Sequence, residues 1–157
     1  MSSQAVSPSE LTDALLTASR ALVAVAARSL ATADSDVTLP QYRALVVLAA
    51  TGPRRVGELA ESLNIHPSTA TRLCDRLVER KLVKRTVDRS NRRETEISLS
   101  PKGRTLVDRV TEARRTEIRS IVNRIPADLR LPTIVALRAF SDAAGEPPQE
   151  SWTLGWT

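Results

Sequence analysis

Apolar positions recur along this chain at helical spacing in separate stretches, and the polar segments between them carry helix-start and turn residues. Leu11, Leu15, Ala18, Leu22 and Val25 follow one another at alternating steps of four and three, which places one stripe on one face of a helix. Ser7-Pro8-Ser9-Glu10 supplies its start: Ser7 as cap, Pro8 at the first helical position, and Glu10 placed to reach back to the cap amide. The helix is expected to run to about Thr32. Its stripe serves either as an ordinary core face or, in part, as a seam with a second subunit, since heptad spacing begins but is not sustained.

After a polar connection, Leu39, Tyr42, Leu45, Val46 and Ala49 predict a second helix over residues 39–50, stopped by Thr51-Gly52-Pro53. A short third helix, residues 56–63, is followed by Asn64-Ile65-His66 as a tight turn, and Pro67 opens a fourth helix that reaches about Arg80. Two helices joined by so short a turn fit a helix-turn-helix. The period then changes. Residues 82–87 are β-prone, residues 88–93 are a charged tip, and residues 94–99 alternate polar with mostly β-branched or apolar side chains, which predicts a two-stranded hairpin. Ser100-Pro101-Lys102-Gly103 starts a long helix through Leu106, Val110, Ile118, Ile121 and Val122 to near Arg124. A last helix passes Ile134, Leu137 and Phe140 to about Ala144, and Pro132 inside it is expected to kink or shorten it. The tail from Glu146 holds Pro147-Pro148 and both tryptophans, Trp152 and Trp156, and reads as irregular.

Composition narrows the class. The 157 residues are 41% hydrophobic but only 3% aromatic, which favours helices packed through small side chains. Mainly α with a small β-hairpin wing is the expected fold class. One cysteine, Cys74, and one histidine, His66, exclude an internal disulfide and leave too few ligands for a structural zinc, so no metal and no cofactor are expected. Asp13, Arg20 and Arg28 interrupt the first apolar stretch, which argues against a membrane span and for a soluble, cytoplasmic protein. The net charge is +5, and its distribution is uneven: residues 54–104 hold thirteen Lys or Arg against seven Asp or Glu. All the excess positive charge lies there, beside the helix-turn-helix, which points to an acidic partner.

The element order, together with Leu39-Pro40-Gln41-Tyr42-Arg43-Ala44-Leu45, Val56-Gly57-Glu58-Leu59-Ala60 and Pro67-Ser68-Thr69-Ala70-Thr71-Arg72-Leu73, resembles the MarR family of winged helix-turn-helix transcription regulators. Leu82-Val83-Lys84-Arg85, Asp88-Arg89-Ser90-Asn91-Arg92-Arg93 and Ile97-Ser98-Leu99-Ser100-Pro101-Lys102-Gly103 are similar to the family's wing and the start of its next helix. Asn91 stands where many members carry an aspartate, so an ion pair at the wing tip is not implied. The resemblance implies a homodimer with dimerisation helices in residues 1–38 and 105–145, a DNA-binding region in residues 39–104, and an irregular tail in residues 146–157. It also implies release from DNA by a small amphipathic or aromatic anion, with Tyr42, Arg43 and the residues facing them from the first and fifth helices as pocket candidates; the other reading of Tyr42 is a core residue.

On the fourth helix Ser68, Arg72 and Arg76 share one face, with Thr69 and Thr71 beside them, while Ala70, Leu73 and Leu77 form the opposite, inward face. Short polar and long basic side chains near a helix N-terminus suit the major groove. Arg72 is the best candidate for a bidentate pair with guanine, and Arg76 suits a phosphate or an acidic neighbour. In the wing, Arg89, Arg92 and Arg93 suit a narrow minor groove, with Arg93 favoured by the resemblance; the other reading is that they satisfy Asp88, Glu94 and Glu96 across the hairpin. Lys84, Arg85 and Lys102 would add phosphate contacts. Cys74 reads as a buried small hydrophobe and His66 as a turn or cap residue. No Gly-rich phosphate loop, nucleophile motif or metal cluster supports an enzyme. The expected function is a duplex-DNA regulator, a repressor acting on a pseudo-palindromic operator, and its rival is a winged-helix protein-interaction or RNA-binding module.

Overall fold

The computed structural model describes residues 7–34, 36–87 and 95–146. Within them lie α1 (Pro8–Ala33), α2 (Leu39–Thr51), β1 (Arg54–Arg55), α3 (Val56–Leu63), α4 (Pro67–Glu79), β2 (Val83–Val87), β3 (Thr95–Leu99), α5 (Pro101–Val122) and α6 (Ala127–Ala143). Local chemistry sets most of the boundaries. Ser7 Oγ accepts from the Glu10 amide at 3.2 Å while the Ser7 amide donates to Glu10 Oε2 at 2.9 Å, a reciprocal capping box. Thr38 and Gln41 repeat the device at the start of α2, and Gly52, at φ 77°, ends that helix in a conformation most side chains avoid.

The sheet has the order β1-β3-β2 and is antiparallel throughout, with Val83 opposite Leu99 and Arg85 opposite Ile97. The hairpin is as the alternation predicts, but β1 is not: Arg54 and Arg55 pair with Ile97 and Glu96 to make a third strand. Two residues following a proline carry no periodic signal, and only the arrival of β3 alongside them makes a strand. A second difference concerns Pro132, which α6 passes through without a break. The proline removes a bond to the carbonyl of Asp128. Both residues are exposed, so that carbonyl stays open to water and the helix continues.

The core is centred on α2, whose Ala44, Leu45 and Leu48 are fully enclosed among Leu59 of α3, Leu77 of α4, Ile97 of β3 and Val110 of α5. Burial then fades along the long helices. Val25 and Leu30 of α1 are buried, whereas Leu11, Leu16, Leu22 and Val23 are exposed; Leu106 and Val110 of α5 are buried, whereas Val122 is exposed. No residue of α6 is buried, and Leu129, Leu131, Ile134, Val135, Leu137 and Phe140 all face solvent. By length and apolarity alone α1 would suffice to cross a membrane, despite its charges. Its lower part instead joins the core, and Arg28 forms an ion pair with Glu117 of α5.

One junction holds the recognition end of the molecule to α5. Lys81 takes a left-handed backbone conformation, φ 61°, which turns the chain sharply between α4 and β2. Ser100, only 4% exposed, receives that turn: its amide donates to the Leu82 carbonyl at 3.1 Å, its hydroxyl donates to the Lys81 carbonyl at 2.7 Å, and the same oxygen accepts from the Gly103 amide at 3.0 Å. Gly103 lies so close that a Cβ there would stand 2.1 Å from the Leu82 carbonyl oxygen and 2.8 Å from Leu99 Cδ1. Substitution Gly103→Ala should therefore force two backbone segments apart and destabilise the fold by about 3 kcal/mol or more, read as a lowered urea midpoint with an unchanged m-value. A mutant with wild-type stability would contradict this account of the junction. Cys74 lies in the same core, fully buried, and desolvation raises its thiol pKa against the weaker opposing pull of Arg85. Native protein at neutral pH should resist iodoacetamide and react within minutes only once denaturant is added; rapid native labelling would count against the burial.

Candidate nucleic-acid interface and adjoining cavity

α3 and α4 meet through Asn64, whose left-handed φ of 51° lets the chain reverse in three residues. The Ile65 amide donates back to the Ala60 carbonyl at 3.0 Å, which closes the end of α3. His66 then caps α4: its Nδ1 accepts from the Ser68 amide at 3.3 Å and lies 2.9 Å from Ser68 Oγ. The His66 carbonyl also accepts from the Thr69 and Ala70 amides at 2.9 and 3.1 Å, so the first-turn donors of α4 are satisfied at the helix end.

The two faces of α4 separate cleanly. Ala70, Leu73, Cys74 and Leu77 are buried, and Ser68, Thr69, Thr71, Arg72 and Arg76 are exposed. The Thr71 hydroxyl donates to the Pro67 carbonyl at 3.0 Å, and Arg72 Nε lies 3.4 Å from the Ser68 carbonyl, which directs the guanidinium toward the N-terminal end of the helix. Lys84 and Arg85 are exposed on β2, but Arg85 is already ion-paired with Asp75 of α4. Lys102 is committed as well: its Nζ donates to the Arg80 carbonyl at 3.0 Å and so caps the C-terminal end of α4. The sequence reading assigned Lys102 to phosphate because a partner twenty-two positions away leaves no local trace. Arg89, Arg92 and Arg93, with Asn91, lie outside the described residues, as do Trp152 and Trp156.

Beside this unit, α1, α2, α5 and the end of α6 line an open cleft of about 860 Å³. Its walls are apolar where Val23, Ala26, Leu39, Val46 and Ile118 line it, and its polar lining is dominated by arginines: Arg43, Arg114, Arg115 and Arg119. Tyr42 and Arg43, the two pocket candidates, both line it; Tyr42 is at the same time part of the core, only 5% exposed. The Nε of Arg114 is buried without a hydrogen-bond partner. An unpaired buried donor of this kind is unfavourable by about 1–3 kcal/mol until an acceptor arrives. Arg43 forms a bidentate pair with Glu146, Nη1 to Oε1 at 2.8 Å and Nη2 to Oε2 at 2.7 Å. The pairing raises the Arg43 pKa and lowers that of Glu146, each chiefly through the shared hydrogen bonds. A depressed carboxylate pKa means the link is complete at neutral pH and is lost only as pH falls through the shifted value, below the ordinary glutamate range. Sequence reasoning placed pocket residues on the first and fifth helices without naming Arg114, Arg115 or Arg119, and it did not reach Glu146. The three helix arginines sit on an otherwise ordinary amphipathic surface, and nothing local joins Glu146 to a residue on α2.

A model of the MarR family matches residues 35–94. The crystal structure of RV1404 from Mycobacterium tuberculosis is 44% identical, superposes with a TM-score of 0.85, and the match covers 92% of this chain and 99% of that one. The HTH-type transcriptional repressor MdtR of Bacillus subtilis is 33% identical over 79 residues, 50% of this chain and 51% of that protein. BpsR of Bordetella bronchiseptica, whose DNA binding is regulated by 6-hydroxynicotinic acid, is 25% identical with a TM-score of 0.64, over 88% of this chain and 98% of that one. This chain spans about half the length of the curated relatives it matches. Family model, near-complete structural match and the two-faced helix of a winged helix-turn-helix agree, and the chain belongs to the MarR family of winged-helix transcriptional regulators.

Proposed function

We propose that this protein is a cytoplasmic homodimeric repressor that binds a pseudo-palindromic duplex operator and is released from it by a small aromatic or amphipathic carboxylate. The observation that carries the DNA-binding part is the division of α4 into a buried apolar face and an exposed face of Ser68, Thr69, Thr71, Arg72 and Arg76. In this reading Arg72 pairs with guanine in the major groove, and Arg76 and Lys84 hold phosphates. Arg85 exchanges Asp75 for phosphate at little loss, because both partners are already half in water. Arg89, Arg92 and Arg93 enter the minor groove from the wing.

Dimerisation is supported by where the uncovered apolar side chains lie. Among the described residues, the large exposed hydrophobics belong to α1, the first residue of α2, the last residue of α5 and α6, and none to α3, α4 or the strands. Residues 1–38 and 105–145 then form the dimer region and residues 39–104 the DNA-binding region, with residues 146–157 as a tail. Repression follows from occupancy, since a dimer seated on a promoter excludes polymerase, and MdtR is named as a repressor. The effector class rests on the arginine-lined apolar cavity, the orphaned Arg114 Nε, and the response of BpsR to an aromatic carboxylate.

Fluorescence anisotropy on a labelled duplex from the region upstream of the protein's own gene, with scrambled duplex, single-stranded DNA and RNA as competitors, tests the reading. Arg72→Ala should weaken binding to the native duplex by about 1–3 kcal/mol and relax its preference over scrambled sequence. Lys84→Ala should weaken all duplexes alike and reduce the salt slope by about one. Equal affinity for every nucleic acid would favour the rival, a winged-helix protein-interaction or RNA-binding module. Sedimentation equilibrium tests the interface: wild type should be dimeric at micromolar concentration, and Leu131→Lys with Val135→Lys should yield monomers that no longer bind the operator tightly. A dimer unaffected by both charges would remove α6 from the interface.

A further inference from the structure

The backbone of Glu146 is placed by the end of α6, but its side chain makes its contact on another helix. It follows Gly145, whose φ of 69° closes the end of α6, and its amide donates to the Ser141 carbonyl at 3.0 Å, so the helix terminus fixes where the residue stands. From there its carboxylate reaches Arg43 on α2 with both oxygens. No residue of α6 is buried, and the Arg43–Glu146 fork is the bidentate polar link between α6 and the winged unit among the described residues. The same two residues also stand in the wall of a second, smaller cavity of about 240 Å³, bounded by Val47, Ala50 and Ser62, where α2 meets α3. The fork therefore borders both the arginine-lined cavity and a recess beside α3.

We infer that Glu146 is a built-in stand-in for the effector carboxylate: it occupies Arg43 at rest, latches α6 to α2, and is displaced when a ligand carboxylate takes the guanidinium. This rests on the effector reading above and names how that site is regulated. The chemistry is a direct exchange. Glu146 occupies the Nη1–Nη2 end of the Arg43 guanidinium, so a ligand carboxylate that takes that end competes with Glu146 for the same pair of donors. The cavity favours the newcomer because Arg114, Arg115 and Arg119 line it while the Glu146 carboxylate satisfies only Arg43. Displacement has two consequences. It frees the C-terminal turn of α6, and it joins the cavity to the recess at Ser62, which brings the bound molecule against α3. A ligand that binds only after the latch opens has a reduced apparent affinity, by the fraction of protein already open.

The test uses the full chain, wild type and Glu146→Gln, with 2-naphthoate as probe and 2-naphthamide as its uncharged control, followed by calorimetry and by hydrogen exchange on α6. Removing the internal competitor should tighten 2-naphthoate binding by about fivefold, since a half-exposed ion pair contributes at most about one such step. It should leave 2-naphthamide unchanged, and Arg43→Gln should weaken naphthoate binding in both backgrounds. Wild type saturated with naphthoate should exchange the amides of Ala144, Gly145 and Glu146 as fast as ligand-free Glu146→Gln does. Equal naphthoate affinity in wild type and Glu146→Gln, with Arg43 still required, would overturn the latch and leave the effector site standing. Unaltered exchange in Glu146→Gln would also overturn it, since α6 would then be held by something else. Binding of naphthoate to neither protein would overturn both the latch and an aromatic carboxylate as effector.

Discussion

The close approach of two backbone segments, the Lys81-Leu82 turn and the Ser100–Gly103 start of α5, is the constraint on which the rest of the molecule depends. Two carbonyls at the end of the recognition helix need donors, and Ser100 supplies both, one from its amide and one from its hydroxyl. Only a residue without Cβ lets the helix come near enough, because any side chain at 103 would enter the Leu82 carbonyl. Lys102 adds a third donor to the same turn through the Arg80 carbonyl. The consequence is mechanical: α4 cannot tilt without moving the first turn of α5, and α5 continues to the outer end of the molecule. The orientation of α4 relative to α5 is set here.

A second tie runs the other way. Arg80 Nη2 donates to both oxygens of Asp34, each at 2.8 Å, and both side chains are largely enclosed. Asp34 is the C-cap of α1 and Arg80 the C-cap of α4, so the bond connects the last turns of the outer arm and the recognition helix. With the Ser100 junction it makes the base of the winged unit stiff, while the upper ends of α1, α5 and α6 remain apolar and uncovered. Rigidity at one end and an unfinished surface at the other are what a two-fold assembly on DNA requires, since the spacing of two recognition helices is set by how the arms pack. The cavity lies between these two regimes, walled by elements of both.

Charge is distributed to the same end. The basic and short polar residues of α4 face outward from a helix whose other side is fully apolar, and several nearby cations are already used inside the fold. Arg80 and Lys102 stabilise helix ends, Arg85 answers Asp75, and Arg43 answers Glu146. Part of the positive charge between residues 54 and 104, at Arg80 and Lys102, is therefore structural, whereas the half-exposed Arg85 stays open to exchange.

Periodicity and capping chemistry by themselves determined the elements of this protein. The steps of four and three, the Ser7, Thr38, Pro67 and Ser100 starts, and the Gly52 stop are interactions within a few residues, so their signals survive in the linear chain. The two faces of α4 were legible for the same reason, and with them the exposed positions Ser68, Thr69, Thr71, Arg72 and Arg76. What only tertiary structure decided are relations between distant positions. β1 exists because β3 comes to lie beside it; Pro132 stays within a helix because its orphaned carbonyl faces water; Lys102 turns to a carbonyl on another element. The cavity and its latch belong to this class, since Arg43, Arg114 and Glu146 come together through the packing of three helices. Hydrogen bonds and ion pairs across such separations depend on where whole elements are placed, and no local pattern of residues encodes that placement.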